Sequence, residues 1–539
     1  MQQRVGEMFN VYLKTLGAVG MAIALAGCNL APDYVRPTSP VSTDWPVLDQ
    51  TQYDAQTGQM SQRKQTANQL SGQANLNNSV PITSGDIAWQ AFFLDPQLRA
   101  LITIALENNR DFRVAVARMD QAQALWGVQR GELFPQIGAG VGGGRQRQVV
   151  PSSSGNNVST VTSLYQAEVG VTAFEIDLFG RLRNLSESAF QQYLASAEVA
   201  RGVQINLIAD TALNYLSWRV ASALLTLTEQ TYQSRLANYK LVLERSRAGV
   251  SSDISLMQAK SVLDSAAGDV AQFTRERALA FNALSVIIGQ TVPDNLPPAA
   301  SLKEFNFFAS IPAGVPSDLL LRRPEIRQAE NLLLASNANI GAARAAFFPN
   351  ISLTAGIGGG STSLGDLFSS GTGIWSFSPN ISIPIFTGGS LEANLAGANA
   401  SQRGAAAAYE KSIQVAFREV SDALAGEATY RSQFVARSSQ AQTSQKLLDL
   451  SNARYFAGVE SFLQVQIAEI EYFTAQQQQV RTVFETFANR INFYKALGGG
   501  WDDATPGAQY DMNAALKNTG GLFGDDTPST NLNPNSLLN

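Results

Sequence analysis

AFFPNISLTAGIGGG, residues 346–360, changes its structural period in the middle. Up to Phe348 the chain follows a helical pattern. Beyond Pro349 it alternates apolar and small residues, which is the period of a strand. Proline stops a helix because it lacks an N–H and disfavours helical backbone in the residue before it. GELFPQIGAGVGGG, residues 131–144, makes the same change. Pro135 and Pro349 lie 349 − 135 = 214 residues apart, and the stretches leading to them align at that offset. Asp111 meets Glu325, Arg113 meets Arg327, Ala115 meets Ala329, Gly127 meets Gly341 and Arg130 meets Arg344. Both prolines read as helix–strand junctions.

Each junction opens onto a hairpin. The first is expected over about 136–178, with strands at 136–150 and 164–178 and the polar loop PSSSGNNVST before the return. In the return strand Ala167, Val169, Val171 and Ala173 share one face, and Gln166, Glu168, Gly170 and Thr172 the other. The second hairpin is expected over about 350–387, with a Gly/Ser loop near 361–373. There Trp375, Phe377, Ile381, Ile383 and Ile385 oppose Ser376, Ser378, Asn380 and Ser382. Apolar residues backed by small polar ones suit an outer-membrane strand, with lipid on one side and a wet lumen on the other. Val169, Val171, Trp375, Phe377, Ile381 and Ile383 are thus expected to face lipid.

A long helical region follows each hairpin, at about 184–248 and 391–457, roughly 100 Å at ~1.5 Å per residue. Ile205, Ile208, Ala212 and Tyr215 keep a coiled-coil spacing in the first. Each helix ends in Ala-Gly-Val, with Gly249 and Gly458 as turn residues, and a second helix returns to about Gly289 and Leu497. Ahead of the first junction a helical pattern continues from DIAWQAFF to Phe134, and the RRPE stretch (322–325) reads as a proline-started helix with Arg/Glu pairing. Helix, hairpin, long helix, turn and helix therefore occur twice, over 86–297 and 317–500, joined by a linker at 298–316. Residues 28–85 read as extended and irregular, and 501–539 as a polar tail.

Composition narrows the function. The chain of 539 residues carries a net charge of −5, a pI near 5.2 and no basic stripe, so no nucleic-acid partner is expected. It has no histidine and one cysteine, Cys28. Histidine base chemistry, Cys/His triads and nearly all zinc sites are excluded. No enzyme activity, metal or cofactor is expected. At the N-terminus Arg4 and Lys14 precede the apolar run Leu16–Ala26 and then LAGC, which reads as a signal peptide at 1–27. LAGC resembles a bacterial lipobox, which implies a covalent lipid on Cys28. By the same resemblance, Asn29 in place of Asp favours the outer membrane.

No later segment has about twenty consecutive apolar residues, so any membrane crossing must use strands. Four strands cannot close a barrel, and an open edge in lipid costs several kcal/mol per unpaired backbone group. The chain must then oligomerise. Two copies give a filled eight-stranded lumen, and three give twelve strands and room for a channel. The long helices are too polar for the bilayer and belong in an aqueous space.

LAPDYVRP (30–37), FEIDLFGRLRN (174–184), VPSDLLLRRPEIRQAE (315–330), FFPNISLTAG (347–356) and the paired AGV turns occur in this order. Together, over nearly all of 28–500, they resemble the outer-membrane efflux protein family, the TolC-like channels, in its lipoprotein branch. The resemblance implies an α+β membrane protein: a homotrimer with a twelve-stranded outer-membrane β-barrel, four strands per chain, continued by a twelve-helix periplasmic α-barrel. It implies a passive exit duct for drugs or other small toxic compounds. Its partners would be a periplasmic adaptor (membrane fusion) protein and an inner-membrane pump of the resistance-nodulation-division type. It places a gate at the tip, around Gly249, Ser255, Gly458, Glu460, Gln464 and Ile467. Many relatives have aspartate at the positions of Gln464 and Ile467, so a polar, weakly charged gate is expected here. Glu460, Glu469 and Glu471 are expected on solvated helix faces. The alternative reading is the channel of a one-step protein secretion system, and the lipobox with PSDLLLRRPEIRQAE favours efflux. A coiled-coil lipoprotein without a pore would not need the hairpins.

Overall fold

A computed structural model describes residues 29–42, 48–65, 88–151, 157–300 and 323–499. The expected signal peptide, Cys28, most of the 298–316 linker and the 501–539 tail lie outside these residues. In chain order the elements are β1 (Leu48–Tyr53), β2 (Met60–Gln65), a helical turn Trp89–Phe92, α1 (Pro96–Asn108), α2 (Arg110–Gly131), β3 (Ile137–Pro151), β4 (Asn157–Glu175), α3 (Arg181–Arg247), α4 (Asp253–Ile288), α5 (Pro324–Ala345), β5 (Asn350–Ser361), β6 (Gly373–Ser382), α6 (Ser390–Phe456) and α7 (Phe462–Ala496). The same succession occurs twice with matched lengths. The helices α2 and α5 have 22 residues each, α3 and α6 have 67 each, and α4 and α7 have 36 and 35. Among the described residues no helix is long and apolar enough to cross a membrane.

The chain divides into two compact units. One comprises Met1–Ser42, Val114–Gly202 and Leu320–Phe417; the other comprises Thr43–Arg113, Val203–Leu319 and Arg418–Asn539.

The first unit holds an antiparallel sheet in the order β3-β4-β5-β6. Its register aligns residues of like character across all four strands. Ala139 faces Val169, Val169 faces Ile357 and Ile357 faces Trp375. Ile137, Val171, Ala355 and Phe377 form the next row. The intervening rows, such as Gly138, Gly170, Gly356 and Ser376, belong to the opposite face. Ile381 closes the apolar face opposite Ile351. Ile383 and Ile385 lie past the end of β6 and are exposed, so the alternation does not assign them a face.

Three sequence expectations are corrected, two in this sheet and one in the other unit. The loop of the first hairpin is shorter than expected, because β4 starts at Asn157 rather than residue 164 and pairs with β3 up to Pro151. Thr and Val predominate in 158–163, and β-branched residues suit a pleated strand. Ala173 does not continue the apolar face. It has φ +53°, the register shifts between Val171 and Phe174, and Phe174 faces Leu353 instead. The bulge frees the Ala173 N–H, which donates to Thr354 Oγ1 at 3.1 Å. Lastly, 28–85 is not wholly irregular, since β1 and β2 form a hairpin. Its turn is set by Asp54, whose carboxylate accepts from the Gln56 N–H at 2.8 Å, and by Gly58 at φ +67°.

The helical run ahead of Pro135 is also interrupted. Asn109 is extended, with ψ 132°, and separates α1 from α2. Its Oδ1 accepts from the Phe112 N–H at 2.9 Å and so caps α2, while its Nδ2 donates to the Ile287 carbonyl at 2.8 Å. The start of α5 is as read from the sequence, with Pro324 at its first turn and Arg323 paired to Glu325 at 3.3 Å. Ile205, Ile208, Ala212 and Tyr215 are all buried, as their spacing requires.

Candidate functional site

The two glycine turns carry the gate expectation and are built alike. In the first, the Val250 N–H donates to the Arg245 carbonyl at 2.8 Å and the Gly249 N–H to the Ser246 carbonyl at 2.9 Å. In the second, Val459 donates to Arg454 at 3.1 Å and Gly458 to Tyr455 at 3.0 Å. These paired bonds satisfy the last carbonyls of a helix only when the residue between is left-handed. Gly249 and Gly458 have φ +71° and +77°. Each helix then restarts at a serine. The Ser252 Oγ accepts from the Ser255 N–H at 3.2 Å, and the Ser461 carbonyl accepts from the Gln464 N–H at 3.2 Å.

The second unit brings both turns together. The Arg245 guanidinium lies 5.1 Å from the centre of the Tyr455 ring. Beneath it Val242, Ala259, Phe462 and Val465 form a buried cluster, with Tyr239, Leu256, Leu448 and Tyr455 around it. On α7, Val465, Gln466 and Ala468 point into the protein, whereas Gln464 and Ile467 are exposed. Leu463, Ile467 and Ile470 thus form an exposed apolar stripe beside Gln464.

Two of the acids near the second turn are engaged, whereas Asp253 after the first turn is exposed. Glu460 is half-buried and pairs with Arg454 at 2.7 Å across the second turn. The corresponding position in the first turn is Ser251. Glu469 is not on a solvated face as expected from the sequence. It is buried, accepts a hydrogen bond from Asn238 Nδ2, and lies near Arg235. Burial pushes the Glu469 carboxyl above its ordinary range and lowers the Arg235 guanidinium. Arg235 stacks 5.4 Å from the Phe473 ring and donates to the Val262 carbonyl at 3.3 Å. Sequence reasoning missed this cluster because its members come from α3, α4 and α7. Glu471 is exposed, as expected.

The other candidate surface is the small-residue face of the sheet. Its one charged residue in the middle rows is Glu168, which the sequence placed only by alternation. The carboxylate reaches over β5 to accept from the Ser376 hydroxyl at 3.1 Å. Gly356 permits this path, since a Cβ there would lie 1.8 Å from Glu168 Oε1. On the apolar face Trp375, Phe377 and Ile381 are all more than half exposed, Val169 is 49% exposed, and Val171 is half-buried.

The family description "Outer membrane efflux protein" matches this chain twice, over residues 101–290 and 315–499, the two segments that carry the recurring elements. The chain belongs to the outer membrane efflux protein family. Relatives in that family include the solvent efflux pump outer membrane protein SrpC of Pseudomonas putida, 42% identical over 89% of this chain and 97% of that protein. The antibiotic efflux pump outer membrane protein ArpC of the same organism is 40% identical over 90% of this chain and 95% of its own length. Among solved structures, the open state of the Neisseria gonorrhoeae MtrE outer membrane channel superposes with a TM-score of 0.75 at 35% identity. It covers 89% of this chain and 100% of that one. The efflux-protein fold therefore frames both candidate surfaces.

Proposed function

We propose that this protein is the passive outer-membrane exit channel of a tripartite efflux system. Three chains assemble, and 3 × 4 = 12 strands close a barrel whose apolar face meets lipid and whose glycine- and serine-rich face lines the lumen. The helices continue the duct into the periplasm. The glycine turns form its entrance, where a periplasmic adaptor and an inner-membrane pump of the resistance-nodulation-division type engage it. The lipid on Cys28 anchors the chain in the outer membrane. Drugs, solvents or other small toxic compounds are the cargo, in line with the names of the relatives.

One observation carries this reading. The sheet is apolar and exposed on one face, small and polar on the other, and ends in β3 and β6, each with a single neighbour among the described residues. In lipid such edges must pair with another chain. At the entrance Glu460 is paired, Glu469 is buried, and Gln464 and Ile467 are exposed and uncharged, which supports a polar, weakly charged gate.

Single-channel recording of the purified protein in planar bilayers tests the proposal. The expected result is a low-conductance pore with weak ion preference, widened by Gln464→Ala. Absence of a channel from protein shown to be trimeric and inserted would refute the duct.

A further inference from the structure

The sheet carries four charged residues, and their placement is uneven. Glu168 and Glu175 belong to the small-residue face, Glu168 bound to Ser376 and Glu175 to Arg181 at 2.8 Å. Strands β5 and β6 have no charge. The two cations, Arg145 and Arg147, both lie on β3 at odd positions, on the face of Ile137, Ala139 and Val141. They are exposed, they face Ser163 and Val161, and neither has an ion-pair partner among the described residues. A chain with net charge −5 thus concentrates two cations on the face whose rows nearer the helices are apolar.

Their height is set by register. The apolar rows run from Ile351 and Ile381 to the row of Gly143, Tyr165 and Ser361. Tyr165 covers Gly143, where an added Cβ would lie 2.7 Å from the ring. From Ile351 to Ser361 is ten residues of β5, about 34 Å along the strand and about 24 Å along the normal at ~45° tilt. That equals the apolar band of an outer-membrane barrel, about 25 Å tall. Tyr165 ends the band as an interfacial ring does. Arg145 and Arg147 follow on its loop-ward side, by roughly 5 Å and 10 Å along the normal, within the headgroup layer. The opposite end of the band is where Pro135 and Pro349 join the helices.

We propose that Arg145 and Arg147 form an outward-facing clamp for the phosphate groups of the phosphorylated glycolipid of the outer leaflet. This rests on the membrane-barrel reading given under Proposed function. Guanidinium groups suit this role, since each offers two parallel N–H donors to a phosphate. At the midplane the same side chains on the lipid face would cost about 2–4 kcal/mol, but close to nothing at the interface. Burial of the lipid phosphates against the barrel would fasten β3, an edge strand of each chain's own sheet.

The test uses the full-length protein in mild detergent, titrated with purified outer-leaflet glycolipid and followed by native mass spectrometry. Four proteins are compared: the unaltered chain, Arg145→Gln/Arg147→Gln, Arg145→Lys/Arg147→Lys, and Arg403→Gln on an exposed helical face as control. Planar-bilayer conductance is recorded for each. The expected result is binding that weakens about tenfold in the double Gln variant, less in the Lys variant, and not at all in the control, with conductance retained in all four. Enzymatically dephosphorylated glycolipid should bind no better to the unaltered chain than to the Gln variant. Equal binding by the unaltered and Gln proteins, or equal displacement by inorganic phosphate alone, overturns the clamp while the channels still conduct. A protein that neither inserts nor conducts overturns the barrel reading and the clamp with it.

Discussion

The Ser376 hydroxyl on β6 donates to the Glu168 carboxylate on β4 at 3.1 Å, across a strand that lies between them. The bond exists because Gly356 on the intervening strand has no side chain. Gly356→Ala should displace the carboxylate and release it from Ser376, at a cost of about 1 kcal/mol for the lost hydrogen bond. Reversal-potential measurements should show a larger cation preference in Gly356→Ala and in Ser376→Ala. Glu168→Gln should lower it in both backgrounds.

Other glycines of the sheet are closer to backbone. A Cβ on Gly170 would lie 2.3 Å from the Ala355 carbonyl oxygen, and one on Gly358 would lie 2.0 Å from that of Ala167. Neither neighbour can rotate away, so Gly170→Ala and Gly358→Ala should each destabilise the β4–β5 pairing by about 1–3 kcal/mol. Gly138 and Gly140 on β3 have no atom of the same chain within 4 Å of an added Cβ, so alanine there should leave the β3–β4 pairing intact. Thermal melts followed by circular dichroism should separate the two pairs.

The turn glycines answer to backbone conformation rather than space. No atom lies within 4 Å of a Cβ on Gly458, but its φ is +77°. Gly458→Ala should cost about 1–2 kcal/mol, and Gly458→Asn less. Amide hydrogen exchange should accelerate locally, at Val459 and the last turn of α6, and leave the sheet unchanged.

Glu469 should make the packing of α7 on α3 pH-sensitive. Its folded pKa lies above the ordinary carboxylate value of 4.5 because burial penalises the charge. Between the two values the folded state holds a proton that the unfolded chain releases. Stability from this group is therefore full below about pH 4.5 and falls as pH rises through the folded pKa. Exchange protection around Asn238 and Glu469 should be higher at pH 5 than at pH 7.5, and Glu469→Gln should remove the difference.

The segment at residues 30–42 is fastened by Glu330. Arg36 donates to its two carboxylate oxygens at 2.7 and 2.9 Å, and Tyr34 Oη donates at 3.1 Å. Burial and the neighbouring carboxylate raise the Tyr34 hydroxyl, which stays a donor across the physiological range. The Arg36 side chain is half exposed, so Glu330→Ala should cost only about 1 kcal/mol. Limited proteolysis should nonetheless show faster cleavage within residues 30–42, while α5 stays intact.

Much of this architecture was legible in the residues alone, where local chemistry decides. Prolines 135 and 349 end helices because they have no N–H, Gly249 and Gly458 turn because they lack a Cβ, and alternation sorted Val169, Val171, Trp375 and Phe377 onto one face. The second group of findings depends on which atoms of distant segments meet. The bulge at Ala173 arises from pairing with β5, and no local signal in TAFE announces it. Glu469 reads as one more charged residue of a helix, yet Asn238 and Arg235 arrive from another helix and take it out of water. Glu168 reads as one more polar residue of an alternating strand until Gly356 opens a path to Ser376. Period and punctuation act within a few residues, so the sequence determined the elements and their order. Burial of a charge, a shifted register and a reach across a strand need partners up to 231 residues away, and only the tertiary structure decided those.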